Sequence, residues 1–348
     1  MLRPRIYASA LLSILALPAA GCDQVTDLLE KGAEAVGEAS NAAANAELTE
    51  DDKLGIKLDG YIDCINGPSS SILDAADRYA SWVDIEKGVT GKERNVYGIY
   101  DHELNASCVE GIATAKASEP HDEGLEKAGD AWLAAYKAVQ PLIHDAHEYY
   151  DHDDYKDDGF SKGKEMHDPL AKAIATFQDA DQALRKAVGE QNDALQARRL
   201  EQLEKDEGRK LRFQQANVMA QAKALMAAGD APTLDALDLD RFDKALKTYD
   251  AALEEADKYV KANEAEADTV MMFDSFIDTA ESYLKASKEL MRRKRDNKAF
   301  TKSELQRLGG SAGWMVEGSP DKVSRAYNDL VNRSNGLNWM SYNPNGRQ

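Results

Sequence analysis

Leu125, Ala128, Trp132, Tyr136, Val139, Ile143, Ala146 and Tyr150 follow one another at steps of three and four, which places all of them on one stripe of a helix. The pattern recurs at Phe242, Leu246, Tyr249, Leu253, Ala256 and Val260, and again at Val270, Phe273, Ile277, Ala280, Leu284, Ser287 and Met291. Stripes this apolar need another helix to face, and no segment shows the alternation of a half-buried strand. The expectation is an all-α fold, an elongated multi-helix bundle with long coiled-coil-like helices. Between Lys164 and Ala228 the sole proline is Pro169, which predicts one very long helix or two stacked ones. Its middle, thin in apolar residues, should project into solvent or hinge near Gly208. "AAGDAPT" at 227–233 ends that run, with Pro232 at a helix start, Asp230 or Thr233 as cap, and a sub-boundary near 229–232. The least helical stretches are 84–102, 151–160 and 309–321. Helices 132–150 and 242–260 look like two related halves, although Ala, Tyr and acid at heptad spacing are common to bundles.

The amino terminus carries an address. Arg3 and Arg5 precede an apolar run, Ile6 to Leu17, that is too short to span a bilayer, and small residues follow. Ala19-Ala20-Gly21-Cys22 resembles the lipobox of bacterial lipoproteins, in which the cysteine is acylated and becomes the first mature residue. This predicts a signal peptide over 1–21, palmitate-bearing Cys22 and an Ala/Glu-rich tether over 22–48, with the helical body at 49–345. Several acyl chains anchor firmly where one alone is marginal. Asp23 favours the inner membrane and leaves the outer membrane open. At a formal charge of −19 over 348 residues, the chain is repelled by nucleic acid and by anionic headgroups, so the tethering falls to the lipid. The expected partners are the membrane, through that anchor, and a periplasmic protein or cell-envelope ligand. Cys64 and Cys108 in an oxidising compartment predict a disulfide; a redox pair or zinc site would need closer spacing.

Four of the six histidines fall between residues 144 and 167. His144, His147 and Asp151 share a helix face, and with His167 they form a candidate site for a divalent metal. The competing reading is a polar elbow between helices, because His144 and His147 each follow an apolar seam residue and the acid run from Asp151 to Asp158 lacks the regular calcium-loop pattern. "GVTGKERNVYG" lacks the spacing of a phosphate loop and reads as a surface loop packing Tyr97 and Tyr100 against the first helices. "RRKR" at 292–295 could meet lipid phosphates or an acidic partner; at a helix C-terminus it also complements the dipole and neighbouring Glu289, which is the favoured reading. No catalytic residues can be nominated: a nucleophile with its base is missing, and the abundance of carboxylates makes any pair arbitrary.

"KLDGYIDCIN", "DRYASWVDIEKGVTGKERNVYGIYD", "AYKAVQPLIHDAHEYYDHDDYKDDGFSKGKEMHDPL" and "SPDKVSRAYNDLVNRSN" together resemble the YiiG-like bacterial lipoproteins, a family with a domain of unknown function. The resemblance implies a helical, membrane-tethered periplasmic protein and no activity, cofactor or catalytic residue. It directs attention to Tyr149, Tyr150, Tyr155, Lys156, Asp157, Asp158 and Lys164, beside His167, as a binding site of unassigned role. The function expected is that of a non-catalytic binding or scaffolding module, the alternative being a periplasmic metal-binding protein using 144–167.

Overall fold

A computed structural model describes residues 48–231, 233–308 and 312–344. The signal segment, Cys22, the tether up to residue 47, Pro232 and residue 345 lie outside the described residues. Those described form an all-α, multi-helix fold whose β pairing is confined to two isolated bridges, Asp84 with Gly88 and Met271 with Asn338. They divide into two compact units between Leu195 and Gln196.

The first unit holds α1 (Glu50–Cys64), α2 (Ser70–Ala80), α3 (Ala106–Ala117), α4 (Glu123–Asp151), the single turn α5 (Tyr155–Asp158) and most of α6 (Ser161–Glu207). Thr49 opens α1 through a capping box with Asp52, and the Asp122 carboxylate accepts the Leu125 amide 2.7 Å away to open α4. The stripe read from α4 is the buried one, with Leu125, Trp132, Tyr136, Val139, Ile143, Ala146 and Tyr150 all in the core. Cys64 and Cys108 form the expected disulfide and join the end of α1 to the start of α3. Between α1 and α2 the chain makes a π-helical turn, Ile65–Ser69, containing Pro68.

That turn is held from α6. Asp181 falls on the same helical stripe as Phe177, Leu184 and Val188 and is buried with them. Its carboxylate accepts from Ser69 Oγ at 2.5 Å, Trp132 Nε1 at 3.2 Å and Arg185 Nε at 2.6 Å. The guanidinium of Arg185 also donates to the Ile65 carbonyl at 3.1 Å. A carboxylate in an apolar seam is tolerated when it is paired and bonded like this.

α6 is 47 residues long and ends at Glu207, where Gly208 takes a φ of 78° that residues with a side chain rarely adopt. The hinge expected near Gly208 is therefore a helix break, followed in the second unit by α7 (Leu211–Ala228), α8 (Leu239–Ala262), the short α9 (Glu264–Ala267), α10 (Phe273–Arg295), α11 (Lys302–Leu308) and α12 (Pro320–Asn335). α7, α8, α10 and α12 pack in that order, and α12 returns to α7, closing a four-helix bundle. The rings of Tyr249, Tyr283 and Tyr327 meet edge-on and tilted in its core. Two of these hydroxyls find helix carbonyls, Tyr249 on Ala280 at 2.9 Å and Tyr283 on Ala222 at 3.2 Å.

Three local expectations need correction. The 227–233 break does supply a cap in Thr233, but of a one-turn 3-10 helix, Leu234–Ala236, and the long helix α8 is capped by Asp238, which accepts the Arg241 amide at 3.0 Å. Val270 belongs to the turn before α10, which starts at Phe273. "RRKR" forms the last turn of α10, the favoured reading, but with partners other than Glu289: Arg293 is buried, donating to the Glu317 carbonyl at 2.9 Å and pairing with Glu304 at 2.8 Å, while Lys294 reaches the Asp235 carbonyl and Arg295 pairs with Asp296. Glu289 takes Lys322 of α12 instead, at 2.6 Å. Carbonyls of the segment after α10 draw Arg293 inward.

Two outcomes follow. Replacing Cys108 with Ala releases a crosslink between residues 44 apart, which the chain-entropy model values at up to about 4 kcal/mol. Urea unfolding of the oxidised wild type against Cys108→Ala measures it, and reductant should then leave the variant unchanged. Asp181→Ala strands Arg185 beside an apolar seam and should cost about 3–5 kcal/mol in the same assay, with Asp181→Asn in between.

Candidate functional site

Residues 81–105 run from α2 to α3 without a helix and must still pair their backbone groups against α2, α4 and α6. The helices supply side chains for this. The Ile99 carbonyl lies 2.9 Å from His147 Nδ1, and the Ile85 carbonyl 3.2 Å from His167 Nε2. A carbonyl only accepts, so His147 carries its proton on Nδ1 and His167 on Nε2. His167 Nδ1 is then left to accept from the Tyr79 hydroxyl, 3.0 Å away on α2. Gly88, with φ of 73°, passes so close to the His167 ring that a Cβ would come within 2.8 Å of it.

The other end of the loop is held similarly. His102 is buried with Nδ1 2.9 Å from Ser71 Oγ and Nε2 2.8 Å from the Tyr136 hydroxyl, which also accepts the Asn105 amide. Gln140 donates to the His102 carbonyl, and Trp82 Nε1 to the Gly98 carbonyl at 2.8 Å. His144 Nδ1 sits 3.0 Å from Asp101. Tyr97 and Tyr100, expected to pack against the first helices, are 50% and 51% exposed. They meet α2 through Arg78, which donates to the Tyr97 carbonyl and lies 4.4 Å over the Tyr100 ring, while Val89 and Ile99 are the loop residues that enter the core.

The elbow from α4 to α6 carries the residues singled out by resemblance. Tyr149 donates to Asp158 at 2.8 Å, and Asp158 also accepts the Lys162 amide at 2.8 Å, so that carboxylate serves the start of α6. Burial, then the Asp158 bond, push the Tyr149 phenol up to about 12, while the Lys162 amide holds Asp158 below the usual carboxylate range. Tyr150 lies buried beside Tyr79 and Trp82, and its ring is 6.2 Å from that of Tyr155. Lys156 pairs with Asp153 at 2.5 Å. Asp151, Asp157 and Lys164 are exposed, Lys164 reaching toward Gly91.

His144, His147, Asp151 and His167 are thus not brought together. His144 is turned to Asp101, His147 and His167 spend a ring nitrogen each on the loop backbone, and Asp151 stays at the surface. Among the described residues no group of three or more His, Cys, Asp or Glu converges as metal ligands do. Nor do the elbow residues present a convergent acid, base and nucleophile; what the arrangement does is order a loop. Reading from sequence missed Tyr79, Asp101, His102 and Asp181. The last had a signal, since a step of four from Phe177 and three to Leu184 puts position 181 on the buried stripe.

Residues 52–336 match the family model described as "Protein of unknown function (DUF3829)". The chain belongs to this family. A relative within reach of direct comparison, the "Uncharacterized protein YiiG" of Escherichia coli (strain K12), is 31% identical over 287 residues, covering 81% of this chain and 78% of its own. No solved structure matches. The matched region spans both units, so loop, elbow and closed bundle all fall within the family's extent.

His144 and His102 should respond to pH in opposite senses. The bond to Asp101 raises His144 above the ordinary imidazole value of 6.5, and burial lowers His102 below it. The stability from His144 is fully present below the unfolded value and is lost as pH rises through the raised folded one. For His102 the unfolded chain binds the proton more readily, so stability falls as pH drops from 6.5 toward the depressed folded value. Imidazole NMR titration should find His144 above and His102 below 6.5, with Asp101→Asn returning His144 toward it.

Proposed function

We propose that this DUF3829 protein is a lipid-anchored module of the bacterial cell envelope, held at a membrane by acylated Cys22 and acting by non-catalytic binding or scaffolding in the periplasm. One observation carries the reading: the lipobox-like Ala19-Ala20-Gly21-Cys22 stands behind a charged and apolar leader and ahead of a small-residue, acidic stretch, at the distance a tether needs. Two further features support it. Cys64 and Cys108 are joined, as suits an oxidising compartment, and the polar side chains of the elbow bind the protein's own backbone. No described helix is long and apolar enough to cross a membrane, which leaves the work of attachment to the acyl chains.

Metabolic labelling with palmitate tests this directly. The wild-type chain should carry the label and sediment with membranes, and Cys22→Ser should be unlabelled and appear in the soluble periplasmic fraction. An unlabelled wild-type chain that still begins at Met1 would remove the proposal.

A further inference from the structure

The charge of the chain changes sign between Arg292 and Arg325 in the second unit, where nine Lys and Arg stand against four Asp and Glu. The fold uses most of those acids. Asp296 pairs with Arg295 and Glu304 with Arg293, each at 2.8 Å, and Asp321 is half-buried against Gly313. Glu317 alone of the four stays exposed without an ion pair among the described residues. Lys298, Lys302, Arg307 and Arg325 are exposed too, and none of them forms an ion pair among the described residues. Apolar side chains stand in their midst. Leu305 on α11 is 43% exposed, and Trp314 and Met315, in the 3-10 turn Gly313–Met315, are 37% and 57% exposed. Lys302 and Leu305, three residues apart, share a side of α11, and α11 packs against the turn. Arg325 of α12 lies 4.1 Å over the Trp314 ring.

This surface is held firmly from beneath. At the start of α11, Glu304 accepts the Thr301 amide at 2.7 Å and Thr301 accepts the Glu304 amide at 3.3 Å. Arg293 joins Glu304 to the Glu317 carbonyl, so one buried guanidinium ties both flanks of the turn to α10. Ser319 donates to the Gly313 carbonyl at 2.9 Å while accepting the Lys322 amide at 3.1 Å. Trp314 and Met315 therefore face outward from a fixed backbone, and a contact made through them costs little ordering.

Resting on the reading of this chain as a tethered envelope protein, we infer that the surface formed by α11, the 3-10 turn and Arg325 docks on a bilayer carrying anionic phospholipid headgroups. Cations and apolar side chains occur together here as they do in interfacial contacts, where Lys and Arg meet headgroup phosphates and Trp sits at the edge of the acyl chains. The formal charge of −19 does not forbid this, because beyond about 10 Å at 0.1 M salt the rest of the chain is screened and the local sign decides. The cations concerned are not those of "RRKR", of which Arg293, Lys294 and Arg295 are bound within the protein. Three exposed apolar side chains offer far less than the roughly 800 Å² per partner of a stable protein interface, whereas a fluid bilayer needs no matching shape. An acylated chain is already confined beside the membrane, so a contact too weak to recruit a free protein suffices to orient a tethered one.

The experiment places the full-length acylated protein on vesicles of phosphatidylcholine alone or mixed equally with phosphatidylglycerol, with brominated acyl chains that quench tryptophan on contact. Quenching should appear on the anionic vesicles, fade as salt is raised and disappear in Trp314→Phe. The Cys22→Ser chain reads the affinity without the anchor. Its co-sedimentation with the anionic vesicles should weaken about fivefold for each of Lys298→Gln, Lys302→Gln and Arg307→Gln. Replacing the exposed Lys137, Lys172 and Lys186 of the first unit with Gln should leave it unchanged, and circular dichroism confirms that the variants fold. Equal quenching on both kinds of vesicle, or equal losses from the two sets of variants, would overturn the docking surface. Tighter binding of polyglutamate than of the vesicles would overturn it in favour of an acidic protein partner. The two readings fail separately: an acylated protein whose Trp314 stays unquenched loses the docking surface alone, whereas an unacylated one whose vesicle binding still falls with Lys298 and Lys302 loses only the tether.

Discussion

A backbone without helix or sheet can lie against a protein interior only if its amides and carbonyls find partners, and residues 81–105 present that demand over a long span. The answer in this protein is a set of imidazoles and phenols placed on the surrounding helices. His147 and His167 each hand a ring proton to a loop carbonyl, Tyr136 takes the Asn105 amide, and Tyr79 ties α2 to His167. Histidine suits the task because it offers a donor on one nitrogen and an acceptor on the other within a flat ring that packs like an aromatic. The aromatic density around the elbow has the same origin: Tyr79, Trp82, Tyr149, Tyr150 and Tyr155 supply area to cover and a polar tip to bond.

This arrangement explains what was legible in the sequence and what was not. The seams of α4, α8 and α10 could be read because burial on a helix repeats every three to four residues, and the residues named for those seams are largely those found in the core. The disulfide followed from having two cysteines in the body and from the oxidising destination expected of the leader. Histidines at helical spacing, by contrast, look the same on paper whether they face a metal, a carboxylate or a carbonyl. Their partners here, Ile85, Ile99 and Asp101, sit more than 40 residues away in a loop whose path no local pattern specifies. "RRKR" could be placed in the last turn of α10, where it lies, but its partners stayed hidden for a related reason. A cation at a helix C-terminus reads as a dipole complement, yet the carbonyls of the returning segment draw Arg293 into the interior.

Asp181 shows how a polar residue on a buried stripe can organise its neighbours. An apolar residue in its place would pack well enough on α6, but the π turn at Ile65–Ser69 would lose the acceptor for Ser69 and the anchor for Arg185. The turn contains Pro68, which has no amide to give, so the segment depends on side chains from another helix to define its shape. The disulfide at Cys64 sits immediately before this turn. Crosslink and buried ion pair therefore act on the same corner, one limiting the unfolded chain and the other specifying the folded path.

The two units spend their charges differently, and that difference bears on where binding should be sought. In the first, the groups that seemed to form a site are consumed by the fold: loop carbonyls take the histidines, and the start of α6 takes Asp158. Opening such a cluster to a ligand would break the bonds that order the loop, and the ligand would have to offset that loss before gaining affinity. In the second, the bundle closes on tyrosines and aliphatic side chains and needs none of Asp274, Asp278 or Glu281 for its core. Carboxylates gathered on one face raise the self-repulsion of an already acidic chain, and Lys261 and Lys285, which lie beside Glu281, offset part of it.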